Sequence, residues 1–421
     1  MKVDMAGQIQ EYEHKEVPLE NRHSLLSVTL VWVGFPLVVT GAFLGGQLTQ
    51  ALGFKMSVLA ILLGNFVLFS YVSALSIIAA KTGKSFSLLS HQVFGIHLSK
   101  LVSVFLSTLV VGWFAVQTGL AGQGLHDMLG WSAPAISLIS GIIFTILTLF
   151  GVRILGVIGA ISVPLFLIFG TTAVIFTLNT NSFEQIINFT GNTSSQYLSL
   201  GIAITLVISL FIDSGTLTAD FTRWAKNPLH AFIATASAFP LANASSMILG
   251  AIVVAGNTST DGNFVAVVAN QAPWLILIAA LFFVINCASV TMHCLYNAAT
   301  GWSVVTNQRY IKIVAILGVI GSLIATAGIW DHLIKWLSLL GIVVPGIGGV
   351  MIAHFFLNGL KADANPYVSF GAWGIAIITA SLFQILAPQY SVAVIAMITS
   401  ATTFLVLEKL ISKKNLCTRQ K

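Results

Sequence analysis

The sequence predicts an all-α polytopic membrane protein of about twelve transmembrane helices, built as a five-plus-five inverted repeat with two broken helices. Three observations carry that expectation. Apolar residues make up 57% of the chain and charged residues only 8%, with a mean hydropathy of +0.94. That balance lies outside the range of soluble domains. The apolar residues fall in runs long enough to cross a bilayer, joined by short connections that leave no room for a separate soluble domain. Two of those runs, five spans apart, are interrupted by residues that break helices.

Taken in order, span 1 (24–49) carries Gly34-Phe35-Pro36 at mid-membrane. Proline removes a donor and clashes with the carbonyl one turn back, so the hydrogen-bond ladder is expected to open around residues 31 to 34. Span 2 (55–79) is uninterrupted. Span 3 (99–125) holds Trp113 and, one turn on, Gln117. Indoles favour the membrane interfaces, so a mid-span tryptophan is unusual. It offers either core packing or a flat stacking surface, with Gln117 supplying a donor and an acceptor beside it. Spans 4 (132–150) and 5 (154–178) complete the first repeat.

Span 6 (197–219) contains Asp213-Ser214-Gly215, and Asp213 is the one carboxylate deep inside a long apolar run. Such a group is costly unless it faces a partner or a water-filled cavity. Irregular backbone is tolerated there only when buried in protein or lining a cavity. Span 7 (229–255) is followed by span 8 (274–300), where Asn286, Ser289, His293 and Asn297 form one polar stripe at helical spacing. The stripe should face the bundle interior, as interhelical hydrogen bonding or as the lining of a path. Spans 9 (311–329) and 10 (333–357) close the second repeat. The run Pro345-Gly346-Ile347-Gly348-Gly349 in span 10 allows close helix approach or a hinge. Spans 11 (366–387) and 12 (390–410) are appended.

This divides the chain into a tail at 1–23, a repeat core at 24–358, and spans 11–12 with a second tail at 359–421. The first tail has no short apolar core or small-residue cleavage site of a signal peptide. With both termini in the cytoplasm, 17 of the 19 basic residues lie on that side and only Lys55 and Lys335 outside. The positive-inside rule therefore favours this orientation, as a multi-pass protein of the cell (inner) membrane. The net charge of +6 is topological. It calls for the lipid bilayer as partner, no nucleic acid, and no obligatory protein partner. Cys287, Cys294 and Cys417 have no metal-ligand spacing and are expected to act as small buried hydrophobes. No nucleophile–base pair or phosphate loop appears, so no enzyme is expected.

The span-6 segment from Phe211 to Phe221 (Phe-Ile-Asp-Ser-Gly-Thr-Leu-Thr-Ala-Asp-Phe), followed by Arg223, resembles that of bacterial cytosine permeases of the nucleobase:cation symporter-1 family. Val111-Gly112-Trp113-Phe114, Lys81-Thr82-Gly83 and Val344-Pro345-Gly346-Ile347-Gly348-Gly349-Val350 extend the likeness over about residues 24 to 358. The resemblance implies the leucine-transporter type of fold and import of a nucleobase or related ring with a cation. It places Trp113 and Phe211 on either side of the base, with Gln117 as a hydrogen-bonding group beside them. The span-6 break adds Asp213 and Ser214, and the span-8 stripe adds His293, as candidate substrate contacts. It also implies a sodium site between spans 1 and 8, from the carbonyls of Gly34, Leu37 and Asn286 and the Ser289 hydroxyl. The coupling ion is sodium or a proton; no other cofactor is expected.

The chain departs from the family pattern in four places. Val110 stands where a glutamine precedes the stacking tryptophan, Leu210 and Asp213 replace two span-6 serines, and Val290 replaces a hydroxyl of the sodium site. Hydrocarbon at 290 weakens a hard-cation site. A carboxyl at 213 can instead carry a proton, or accept hydrogen bonds from an exocyclic amine. An aminopyrimidine such as the thiamine precursor hydroxymethylpyrimidine is one alternative cargo, and an amino acid or amine is another. A channel would want a continuous polar lining, whereas the polar residues here cluster at mid-membrane.

Overall fold

A computed structural model describes residues 12, 15–192, 198–257, 259, 261–360 and 362–419. Every apolar run forms a helix, and among these residues no strand forms; one isolated bridge pairs His23 with Ala225. Eight helices are long and apolar enough to cross a membrane, including Phe54–Thr82, Leu275–Ser303 and Pro366–Leu386. The remaining spans are shorter, as at Ala133–Thr148 and Tyr310–Thr326, or interrupted.

The two expected breaks are present, displaced by a few residues. Span 1 consists of a first half, Leu25–Val33, and a second half, Val39–Leu52. The gap is therefore 34–38, not 31–34. Pro36 lacks only its own N–H, so residues 31–33 keep their bonds to the preceding turn, and the ladder fails at the proline itself. Phe35 N–H still reaches Trp32 O at 3.4 Å, and Val38 N–H turns back to Pro36 O at 2.9 Å. Span 6 runs as Leu200–Ser209, breaks at Leu210-Phe211, and resumes as the single turn Ile212–Thr216 before Ala219–Thr222. Asp213-Ser214-Gly215 thus sits in the turn that follows the break. The Asp213 Oδ1 accepts the Ser214 N–H at 2.7 Å, which satisfies one of the free donors at the start of that turn.

Three further irregularities shape the core. The helix Phe86–Leu129 bends at Gly95, whose φ of +67° separates a lead-in segment, 86–94, from span 3. Span 7 holds a π-helical turn, Ser237–Asn243, around Pro240; proline and widened turns are recognised sources of kinks. Span 10 is split at Pro345 into Leu333–Val343 and Pro345–Asn358. Its glycines also permit close approach, since a Cβ on Gly348 would lie 1.9 Å from the Tyr71 hydroxyl.

The tightest crossing joins the second half of span 1 to span 7. A Cβ on Gly45 would sit 1.9 Å from Met247 O, and one on Gly250 would sit 1.8 Å from Ala42 O. Small residues let backbones meet where no solvent drives helices together. At the other end of span 1, the segment before it is pinned to its neighbours. Val17 N–H donates to Gly83 O at 2.9 Å and His23 N–H to Trp224 O at 2.7 Å. The buried Arg22 guanidinium donates to the carbonyls of Val17 and Ala80. Asp220 caps the lead-in helix by accepting Phe86 N–H at 2.9 Å.

Gly250→Ala is expected to cost about 1–3 kcal/mol through overpacking and to lower the unfolding temperature of detergent-purified protein. Gly374→Ala, where an added Cβ meets nothing within 4 Å, should leave that temperature unchanged.

Candidate functional site

The two breaks face one small cavity. Phe35 and Val38 from span 1, Trp113 and Gln117 from span 3, Leu210, Phe211 and Ser214 from span 6, and Val290 and Cys294 from span 8 line it. The space between these atoms is about 250 Å³, with open room for about one water molecule. Four of the residues expected to hold substrate, Trp113, Gln117, Phe211 and Ser214, are brought together here. Asp213 is fully buried behind the wall. His293 does not line the cavity: its ring packs edge-on against Phe35 at 5.8 Å, and its Nδ1 pairs with Ser289 O at 2.6 Å.

Phe35 is the lining residue that most changes the picture. Its ring lies 5.4 Å from that of Phe211 at 66°, and Phe211 in turn meets Phe239 at 5.9 Å. The first contact is edge-on and the second tilted, and both are favourable aromatic geometries. Phe35 lies inside the break that the sequence marks, so it was visible as a kink residue and not as a lining one. Cys294 sits one turn beyond Val290 and shares its face, a relation that helical spacing alone could have found.

The polar groups are few and incompletely paired. The Gln117 Oε1 accepts the Thr40 hydroxyl at 2.5 Å, with both residues buried. The Asp213 Oδ1 takes the Ser214 N–H, while Oδ2 is buried with no hydrogen-bond partner among the described residues. The indole nitrogen of Trp113 is likewise buried and unpartnered, close to the Asp213 carboxyl without closing a bond to it. A buried donor and a buried acceptor left open side by side at a cavity wall are costly in an apolar interior, and they are the groups a polar ligand would satisfy.

Of the residues expected to hold sodium, Leu37 and Asn286 are bonded to each other. The Asn286 Nδ2 donates to Leu37 O at 3.0 Å and to the Ser162 hydroxyl at 2.9 Å. The Asn286 Oδ1 accepts Val39 N–H at 2.9 Å. An amide therefore spans the gap of span 1, bonding a carbonyl on one side and an N–H on the other. Gly34 ends the first half of span 1, and the Ser289 backbone carbonyl is taken by His293. Val290 contributes only hydrocarbon, which removes one oxygen from the shell that a hard cation needs.

A protein family described as permeases for cytosine/purines, uracil, thiamine and allantoin matches residues 16–372. The chain belongs to this family. It is accordingly a multi-pass membrane transporter and not an enzyme. Cytosine permease of Escherichia coli strain K12 is 28% identical over 413 residues, covering 97% of this chain and 96% of that protein. The cytosine permease of strain O157:H7 matches to the same extent. Among solved structures, Mhp1, a nucleobase-cation-symport-1 family transporter, in its closed conformation with bromovinylhydantoin bound, superposes with a TM-score of 0.78 at 18% identity, over 97% of this chain and 96% of that one. Inward-facing Mhp1 gives 0.80 at 17% identity, over 95% and 93%. At those identities the likeness establishes the fold, and it is the one expected from the sequence.

Replacing Asn286 by leucine leaves Leu37 O and Val39 N–H without partners. At ~1–3 kcal/mol per orphaned group, Asn286→Leu should lower the unfolding temperature sharply, while Asn297→Leu, lower on the same stripe, should have a small effect.

Proposed function

We propose that the protein imports a cytosine- or purine-type base, or a related aminopyrimidine such as hydroxymethylpyrimidine, together with a proton. The observation that carries this reading is the cavity at the two breaks, where Trp113 and Phe211 offer aromatic faces, Gln117 and Ser214 offer polar groups, and the Asp213 carboxyl lies buried behind them. Aromatic faces suit a planar ring, since stacking is tolerant of ring identity. The open Asp213 oxygen suits a ring that carries N–H or an amine. An amino acid or simple amine would leave the aromatic faces unused.

The coupling ion follows from the same residues. Among the oxygens expected at the sodium site, Leu37 O already accepts from the Asn286 amide and residue 290 offers only hydrocarbon, whereas Asp213 is a buried carboxyl next to the lining residue Ser214, with one oxygen unbonded among the described residues. A carboxyl there can load a proton from outside and release it within, and it changes from acceptor to donor when it does so. Alternating access would rock spans 1, 2, 6 and 7 against the others, with both termini in the cytoplasm. Support for that grouping comes from Tyr71–Thr216, Ser76–Thr218, Ser76–Thr235 and Asn65–Asn243, hydrogen bonds that join spans 2, 6 and 7.

Counterflow and uptake in proteoliposomes test the reading. Labelled cytosine should show trans-stimulation by unlabelled substrate, and accumulation should follow an inside-alkaline gradient unchanged when sodium is replaced by choline. Asp213→Asn should abolish accumulation while leaving the yield of folded protein intact. Near-normal coupled uptake in that variant, or a strict need for sodium, would sink the proton assignment. Trp113→Ala should weaken binding about 5–150-fold, the equivalent of one lost stacking contact of about 1–3 kcal/mol.

A further inference from the structure

We propose that Thr40 is a positioning residue that fixes which face of the Gln117 amide the substrate meets. It thereby makes that side of the pocket select rings with a hydrogen-bond acceptor. The inference rests on the reading of the cavity as a base site and adds to it the sense of one hydrogen bond.

An amide side chain presents a carbonyl oxygen at one end and an NH2 group at the other, and the two ends are nearly equal in shape. Only its partners decide which end faces a ligand. Gln117 lines the cavity and is buried. A threonine hydroxyl has one hydrogen to give. That of Thr40 goes to the Gln117 Oε1 at 2.5 Å, across 77 residues of sequence. With the oxygen bonded to span 1, the group left for the cavity is Nε2, a donor, and no described residue accepts from it. The ligand must then supply an acceptor there, and the group assigned is a ring carbonyl, which projects beyond the ring edge as a ring nitrogen does not.

The placement of Thr40 strengthens the assignment. It closes a four-residue lip, Leu37 to Thr40, in which each residue has a polar tie and the ties reach three spans. Leu37 O and Val39 N–H bond to Asn286 of span 8, and Val38 O accepts the Ser246 hydroxyl of span 7 at 2.6 Å. Thr40 alone ties the lip to a residue that lines the cavity. The same bond therefore sets the amide and reports the position of span 1 to the ligand-facing surface of span 3.

The test compares matched rings that differ at one acceptor: cytosine against 4-aminopyrimidine, and hypoxanthine against purine. Binding is read by competition in counterflow and by ligand-induced thermal stabilisation of purified protein. In the wild type, the carbonyl-bearing member of a pair should bind more tightly. Thr40→Val keeps the shape and removes the donor. It should weaken the carbonyl-bearing ring about tenfold while leaving its partner nearly unchanged, so that the preference within the pair collapses. Thr40→Ser should restore it. Equal weakening of both rings, or an intact preference in Thr40→Val, overturns the proposal, because damage to the fold would not discriminate between them. Failure of Thr40→Ser to restore the preference overturns it as well. If none of the four rings binds the wild type, the base-site reading falls, and the Thr40 assignment falls with it.

Discussion

The structure depends on how five residues of unwound backbone survive in the middle of a membrane. Between Gly34 and Val38 the helix of span 1 has no ladder, and no water stands by to replace it. The free groups are satisfied by side chains from other spans: the Asn286 amide bonds Leu37 O and Val39 N–H, and Ser246 bonds Val38 O. These ties fix where the second half of span 1 begins and in which direction it leaves. They also fix the wall on which Phe35 and Val38 meet the cavity. The close crossing of that half-helix with span 7, through Gly45 on one side and Gly250 on the other, then holds it along its length.

The same solution accounts for the chemistry around the break. An amide that bridges the gap does structurally what a bound cation would do electrostatically, since both gather the carbonyls of an unwound turn. Asn286 performs that role here, beside the hydrocarbon of Val290. Open polar groups stand instead at span 6 and span 3, where Asp213 and Trp113 lie close together with one unpartnered group each. The fold therefore separates a saturated centre, which holds the backbone, from an unsaturated one beside the cavity.

Hydropathy made the spans legible because a bilayer demands length and apolarity within one continuous segment. The breaks were legible for the same reason: proline, glycine and a carboxylate stand out against such a background. Their positions slipped by a few residues because proline disables only its own N–H, and because Asp213 caps a turn that it would otherwise seem to end. The π-helical turn at Ser237–Asn243 gave no signal, since Pro240 in an apolar run does not announce a widened turn. Of the site, the aromatic residues and Gln117 were legible by type and by family resemblance. Thr40 and the bridging role of Asn286 were not, because their partners lie 77 and 249 residues away and only folding pairs them.

Phe35 stands edge-on to Phe211 at the cavity wall, with their centroids 5.4 Å apart at 66°. Rings that meet edge to face leave no parallel slot between them. A flat solute would have to turn one of them aside to lie against the face of the other. Of the two, Phe35 sits on the unwound stretch of span 1, where no helical ladder stiffens the backbone that carries it.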